Sequence, residues 1–260
     1  MGSAAIPAGG ASAMKQAHVR CYAALNDFLP PERRSRASPC YFYVSRSVKD
    51  LIESLGVPHT EIELILANGE PVNFSYCVQD GDRISVYPPF RSLDISPIPS
   101  LRPEPPGEFR FVADAHLGRL AGYLRMLGFD TWYRRDAGDE DLAAISAGEE
   151  RILLTRDRGL LKRNIVKRGY FVQTTDPSRQ LAEVLQEFDL VQRMQPFRRC
   201  IHCNGILQPV PKEAVIDRLL PETRQYYDEF FLCPRCGHIY WKGSHYRRMK
   251  QFIESVIASS

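Results

Sequence analysis

The chain is defined first by what it lacks. No apolar run approaches the roughly 20 residues needed to cross a bilayer as a helix, so a membrane-spanning protein is not expected. The opening MGSAAIPAGGASAMKQ has neither a basic stretch nor a continuous apolar core. It does not read as an export signal, and residues 1–17 are expected to form a flexible leader. Without such a signal the chain is read as cytoplasmic, where structural disulfides are rare. A strong charge of either sign is missing too, the net value being only +3. That excess is local: residues 191–260 carry 11 Lys/Arg against 6 Asp/Glu, while the preceding segments are close to neutral. A basic end on a neutral body suits contact with a polyanion such as nucleic acid. It suits a merely solvated surface about equally. No internal repeat is visible.

What is present suits a soluble globular protein of more than one domain: 260 residues, 44% hydrophobic and 25% charged. A proline-rich stretch, SPIPSLRPEPPGE, marks an extended spacer over 93–108, and a second break falls near Gln195-Pro196. In the first segment, 18–92, strand-like HVRCYAAL and YFYVS precede SVKDLIESLGV. Val48, Leu51, Ile52 and Leu55 there recur at helical spacing behind a Ser47 cap. Strand-like IELILANGE and DRISVYPPF follow, with Asn68-Gly69 and Asp80-Gly81 as turns. Two strands, a helix and more strands suggest a β-grasp, ubiquitin-like fold. The wording resembles ubiquitin-like sulfur carriers, whose chains end in a free Gly-Gly that is activated. Here the matching place is Pro88-Pro89-Phe90 and the chain continues. A docking or stabilising role is therefore expected instead.

The segment 109–195 alternates strand and helix: FRFVAD, AHLGRLAGYLRMLGF, DTWYR, EDLAAISAG, RILLT, RGLLKRNIVKRG, YFVQTT and PSRQLAEVLQEF. This βαβα order predicts an α/β fold, a parallel sheet flanked by helices, with sites at the carboxyl ends of its strands. Asp114 directly follows the first strand and Asp157 follows ILLT, so both are expected at that edge. Asp139, Glu140 and Asp141 open the middle helix. Gathered carboxylates repel one another unless cations neutralise them, and an oxygen-rich site suits Mg²⁺ or Mn²⁺. Each acid also has an ordinary reading. Asp139 to Asp141 complement a helix dipole, Asp157 can cap the next helix, and Asp176 before Pro177 reads as a plain N-cap. A phosphatase of the haloacid-dehalogenase type would need D-x-D, where this chain has Asp114-Ala115-His116. His116 is read as a surface or capping residue.

In the last segment, 196–250, Cys200-x₂-Cys203 and Cys233-x₂-Cys236 have the spacing of two metal knuckles. Four thiolates suit tetrahedral Zn²⁺ and leave no open position for catalysis, so a structural zinc ribbon is expected. A glycine just after each knuckle is expected to supply unusual backbone angles. Behind the ribbon, HIYWKGSHYRRMKQF interleaves Tyr240, Trp241 and Tyr246 with Lys242, Arg247, Arg248 and Lys250. Aromatics beside cations suit single-stranded RNA. Sealing the ribbon onto the preceding domain is the competing use of Tyr240 and Trp241.

Together, FVADAHLGRLAGYLRMLGFDT, GDEDLAAISAGEERILLTRDRGLL and the two CxxC pairs resemble the Mut-seven C-terminal domain family of PIN-like RNases, with a ubiquitin-like domain fused in front. The resemblance implies a PIN-like fold and metal-dependent RNase chemistry. By motif it implies Asp114, Asp139 and Asp157 as the catalytic, metal-holding acids, with Asp141 the alternative middle residue. Arg156 and Arg158 would neutralise carboxylates or touch phosphate, or simply be a solvated helix start. Trp241, Lys242, Arg247 and Arg248 are the candidate RNA contacts, and the ubiquitin-like domain is expected to meet a protein partner. A non-catalytic RNA-binding adaptor is the alternative.

Overall fold

The computed structural model describes residues 13–90, 98–104 and 106–258. Most of the expected leader and part of the proline-rich spacer therefore lie outside the described residues. Packing divides the chain into two compact units that meet between Pro103 and Glu104.

In the first unit β1 (Lys15–Cys21) pairs antiparallel with β2 (Ser38–Phe42), and α1 (Val48–Ser54) follows. Next come β3 (Leu64–Ala67), β4 (Glu70–Pro71) and β5 (Arg83–Tyr87). The sheet order β2-β1-β5-β3-β4, with β1 and β5 parallel at its centre, is the expected β-grasp. β1 starts before position 18: Lys15 already pairs with Phe42, and the buried–exposed alternation runs from Ala17. Ser47 caps α1 by accepting from the Asp50 amide. Both expected turns form: Asn68 and Gly69 take left-handed angles, as does Gly81.

The second unit is built on β6 (Arg110–Ala113), α2 (Gly118–Met126), β7 (Asp130–Tyr133), α3 (Asp139–Gly148), β8 (Ile152–Thr155), α4 (Arg158–Leu161), β9 (Gly169–Phe171) and α5 (Pro177–Glu187). The strands form an all-parallel sheet in the order β7-β6-β8-β9. Side chains alternate across it. Phe111, Ala113, Ile152 and Leu154 join Leu120 and Leu124 of α2 and Leu181 and Leu185 of α5 on one face. Val112 and Leu153 join Leu142, Leu160, Leu161 and Val166 on the other. Burial on both faces explains why RFVA and ILLT are apolar almost throughout. The expected long helix over RGLLKRNIVKRG is shorter than its pattern suggested. It stops at Leu161, since Val166 is drawn into the core as part of a turn leading to β9.

The cysteine segment forms β10 (Gln208–Val210), a short α6 (Pro221–Tyr226), β11 (Phe230–Leu232) and β12 (Ile239–Trp241), the strands making an antiparallel sheet in sequence order. A final helix, α7 (Ser244–Ala258), runs past the boundary expected at 250. Its apolar residues Ile253 and Val256 enter the same core as α2 and α5, so the ribbon and the parallel sheet form one unit. Among the described residues no helix is long and apolar enough to cross a membrane.

Gly128 shows how tightly this union is made. Its φ is +94°, and a Cβ there would collide with the Gln195 carbonyl. The backbones of Met126, Leu127 and Gly128 run against those of Gln195 and Phe197, bonded through Gln195 N to Leu127 O and Phe197 N to Met126 O. Gly128→Ala combines a left-handed conformation with this backbone clash and is expected to cost about 2–3 kcal/mol. Urea unfolding of the full chain followed by circular dichroism measures it.

Candidate functional site

Parallel strands deliver their carboxyl ends to one edge, and the residues found there are those the chain places immediately after β6 and β8. Asp114 is only 8% exposed. Its amide donates to Leu154 O, which binds it to the neighbouring strand, and its Oδ2 accepts from Thr155 Oγ1 at 2.7 Å. The same Thr155 Oγ1 accepts from the Asp157 amide at 2.9 Å. One threonine hydroxyl thus links the two acids. Asp157 in turn caps α4, its Oδ1 accepting from Gly159 N at 2.6 Å. The cap reading and the neighbourhood of Asp114 are both true of Asp157.

The middle acids are farther out. Asp139 opens α3, is exposed, and its side chain makes no hydrogen bond or ion pair among the described residues. Asp141 is held by Arg134 at 2.8 Å, and Arg134 also binds Asp136 and lies over the Trp132 ring. Asp114, Asp139 and Asp157 do not converge as a ready cluster of metal ligands. Among the described residues only the four cysteines do. Asp176 is the plain N-cap expected, accepting from the Ser178 and Arg179 amides.

Of the two arginines flanking Asp157, Arg156 is occupied by backbone carbonyls and Arg158 lies against an aromatic ring. Arg156 donates to the carbonyls of Val172, Gln173 and Thr174, beyond the end of β9. Arg158 lies over the Phe171 ring at 5.3 Å. Glu183 of α5 accepts from the amides of Gln173 and Thr174 and from Tyr170. A cation and an anion therefore grip one loop, which forms a firm wall beside the acids. Thr174 Oγ1 is buried in that wall without a hydrogen-bond partner. Tyr133 ends β7 at the same edge and donates to Ala115 O, passing so close to Gly118 that a Cβ there would lie 2.6 Å from the hydroxyl. Thr155, Tyr133 and Glu183 were missed in the sequence. Only their strand-end positions hinted at them, and their roles depend on partners distant in the chain.

The cysteines gather as their spacing predicts, the sulfurs lying within 4.8 Å of one another. Gly237 supplies a left-handed angle after the second knuckle, but after the first it is Asn204 that does so. Gly205 serves closeness instead: a Cβ there would sit 3.0 Å from Cys233 Sγ. Burial pushes the Cys200 thiol up, yet contacts from the Tyr240 hydroxyl, nearby amides and Cys236 outweigh it and hold it at about 7. Burial instead pushes the Cys203 and Cys236 thiols up, Cys236 to about 12.

Asn204 also docks the knuckle. Its Oδ1 accepts from Thr131 N and its Nδ2 donates to Asp130 Oδ1. Arg125, 5% exposed, donates to the carbonyls of Thr131, Ile201 and His202. Asp130 and Thr131 start β7 and Arg151 precedes β8, so the knuckle sits at the amino edge of the sheet. The acids are at the carboxyl edge, one strand length away. Burial pushes the Asp130 carboxyl up, but hydrogen bonds from Arg151 and Asn204 and the charges of Arg151 and Arg199 outweigh it and hold the group below the usual range. A folded-state pKa below the unfolded one adds stability above about pH 4 that is lost as pH falls through the folded value. Asp130→Asn is expected to flatten that acid limb and to cost about 1–3 kcal/mol near neutrality, because half-buried Arg199 loses its anion and buried Arg151 is left with Glu149 alone. Urea unfolding across pH checks both effects.

Comparison with known proteins agrees with this architecture. A family model described as Mut7-C RNAse domain matches residues 109–253, and one described as Mut7-C ubiquitin matches residues 14–94. A search of curated proteins found no match. The first model takes in the parallel sheet, the acids after its strands, the cysteine ribbon and most of α7, and it alone spans more than half of the 260 residues: the chain belongs to the Mut7-C RNAse domain family, with a Mut7-C ubiquitin domain in front.

Proposed function

We propose that this chain is a metal-dependent ribonuclease, with Asp114 and Asp157 holding Mg²⁺ or Mn²⁺ at the carboxyl edge of the sheet and Asp139 serving as the third acid. One observation carries the reading. Asp114 is buried, accepts a single side-chain hydrogen bond, and has no cationic partner among the described residues. A hard divalent cation is the partner that such an oxygen ligand suits. Mg²⁺ often takes only one or two protein carboxylates and fills its remaining positions with water and substrate phosphate. The pair linked by Thr155 fits that habit.

An ion held there would acidify a water for attack on the phosphodiester and stabilise the leaving oxygen. The protein's own contribution is positioning. Thr155 fixes one oxygen of Asp114 and the amide of Asp157 together. Asp157 commits Oδ1 to its cap, which would leave Oδ2 available to hold a metal. Asp141 is engaged by Arg134, which favours Asp139 as the acid of the α3 first turn. Four cysteines with no open position suit a structural Zn²⁺. The basic C-terminal segment suits RNA phosphate, and the ubiquitin-like unit, with Tyr41 and Tyr43 exposed around its β2 edge, suits a protein partner.

Cleavage of labelled single-stranded RNA with Mn²⁺ tests the proposal. Asp114→Asn and Asp157→Asn are expected to lower kcat/KM by more than about 100-fold, and Thr155→Val, which keeps both acids, by about 10- to 100-fold. Full activity in both Asp variants would end the metal reading, and tight binding without cleavage by any form would make the chain an RNA-binding adaptor. Elemental analysis is expected to find about one zinc per chain. Folded protein recovered free of metal would contradict the structural zinc.

A further inference from the structure

Where the ribbon meets the foot of α2 and the start of α7, a cavity of about 290 Å³ opens beside the amino edge of the sheet. Its walls include Phe197, Phe231, Tyr240, Trp241 and Tyr246, with Met126 and Met249 among the aliphatic residues. None of these residues belongs to the acid site. Trp241 remains 36% exposed and Tyr246, whose ring packs against Phe197, is half-buried; both line the cavity.

The rim is cationic. Arg198 and Lys242 line it, Lys242 pairing with Glu229 at 2.6 Å. Arg247 and Arg248 follow on α7, both exposed and without a side-chain partner among the described residues. Those two cations, with His245, stand in the opening turns of α7, where the helix dipole opposes positive charge. No acid offsets them in the first turn of α7, as is also the case in α2, α4 and α5. An aromatic hollow lined also by Arg198, Arg199 and Lys242, with Arg247 and Arg248 on the adjoining helix, suits an anionic ligand that also has a flat apolar face.

The geometry points to a nucleobase pocket: the cavity receives one unpaired base of an RNA strand, stacked on Trp241 and Tyr246, while Arg247 and Arg248 meet its flanking phosphates. Ligand cavities run from about 300 to 1,000 Å³, so this one suits a single base with its sugar rather than a length of strand. Stacking on aromatic side chains accepts any base and requires that it be unpaired, which makes the ligand single-stranded. The inference rests on the ribonuclease reading for its choice of ligand and adds a second point of contact. The acids lie at the other edge of strands four residues long, so the RNA must span at least roughly 13 Å. A ribonuclease using both points holds its strand away from the cut as well as at it.

The test uses the full chain and a fluorescent single-stranded oligoribonucleotide, with binding read by anisotropy without added divalent ion. Trp241→Ala and Tyr246→Ala are each expected to weaken binding by about 5- to 100-fold, and a duplex of equal length is expected to bind wild type as weakly as the strand binds these variants. Arg247→Ala with Arg248→Ala is expected to make the affinity less steeply dependent on salt. In a Trp132→Phe chain, adenosine monophosphate is expected to quench the fluorescence of Trp241, a readout that leaves every residue of the cavity in place. Unchanged affinity in both aromatic variants, or no quenching, overturns the pocket. The two proposals fail separately. Trp241-dependent binding without any cleavage would refute the nuclease and keep the pocket, while cleavage with affinity and KM indifferent to Trp241 would refute the pocket and keep the nuclease.

Discussion

The guanidinium of Arg125 is buried at the amino edge of the parallel sheet, donating to the carbonyls of Thr131, Ile201 and His202. Burial works against its charge and lowers its pKa, an effect opposed by the nearby thiols of Cys200 and Cys203 and by Asp130. A group this costly to desolvate is tolerated only where its donors are met, and two of the three carbonyls belong to the first metal knuckle. The position of the knuckle is therefore dictated by the end of α2. Asn204, Asp130, Arg151 and Arg199 add the remaining polar ties around the same point.

That constraint separates the chemistry of the second unit into two places. The knuckle and its cavity occupy the amino edge, and Asp114, Thr155 and Asp157 occupy the carboxyl edge. The chain then turns back along α7, whose later residues Ile253 and Val256 pack with α2 and α5. Its Phe252 lies 4.6 Å from Tyr123 and its Tyr246 4.4 Å from Phe197, ring centre to ring centre. This last helix closes the core while presenting its cations near the ribbon, so the basic end of the chain is a structural element and not an appended tail.

Much of the fold was readable because it rests on local pattern. The apolar runs RFVA and ILLT, the spacing of Leu120 and Leu124, and the Ser47 and Asp176 caps all record the immediate environment of each residue. The reading failed where distant packing decided the matter. Val166 left a helical pattern to fill the core, Asn204 rather than glycine took the strained angle in the first knuckle, and the ribbon proved continuous with the sheet through α7. The acids followed the same division. Their place after β6 and β8 was visible, but the shared hydroxyl of Thr155 and the commitment of Arg156 to the loop after β9 were not, since those contacts join residues far apart in the chain.

The sequence by itself determined the periodic elements, the edge at which Asp114 and Asp157 emerge, and the meeting of four thiols, because strand direction and CxxC spacing are properties of short segments. Only the tertiary structure decided which hydroxyl joins the Asp114 carboxylate to the Asp157 amide, which carbonyls Arg156 meets, and where the ribbon sits. Those outcomes turn on satisfying buried charges such as Arg125 and Asp130, and the partners that satisfy them come from segments about 75 residues away.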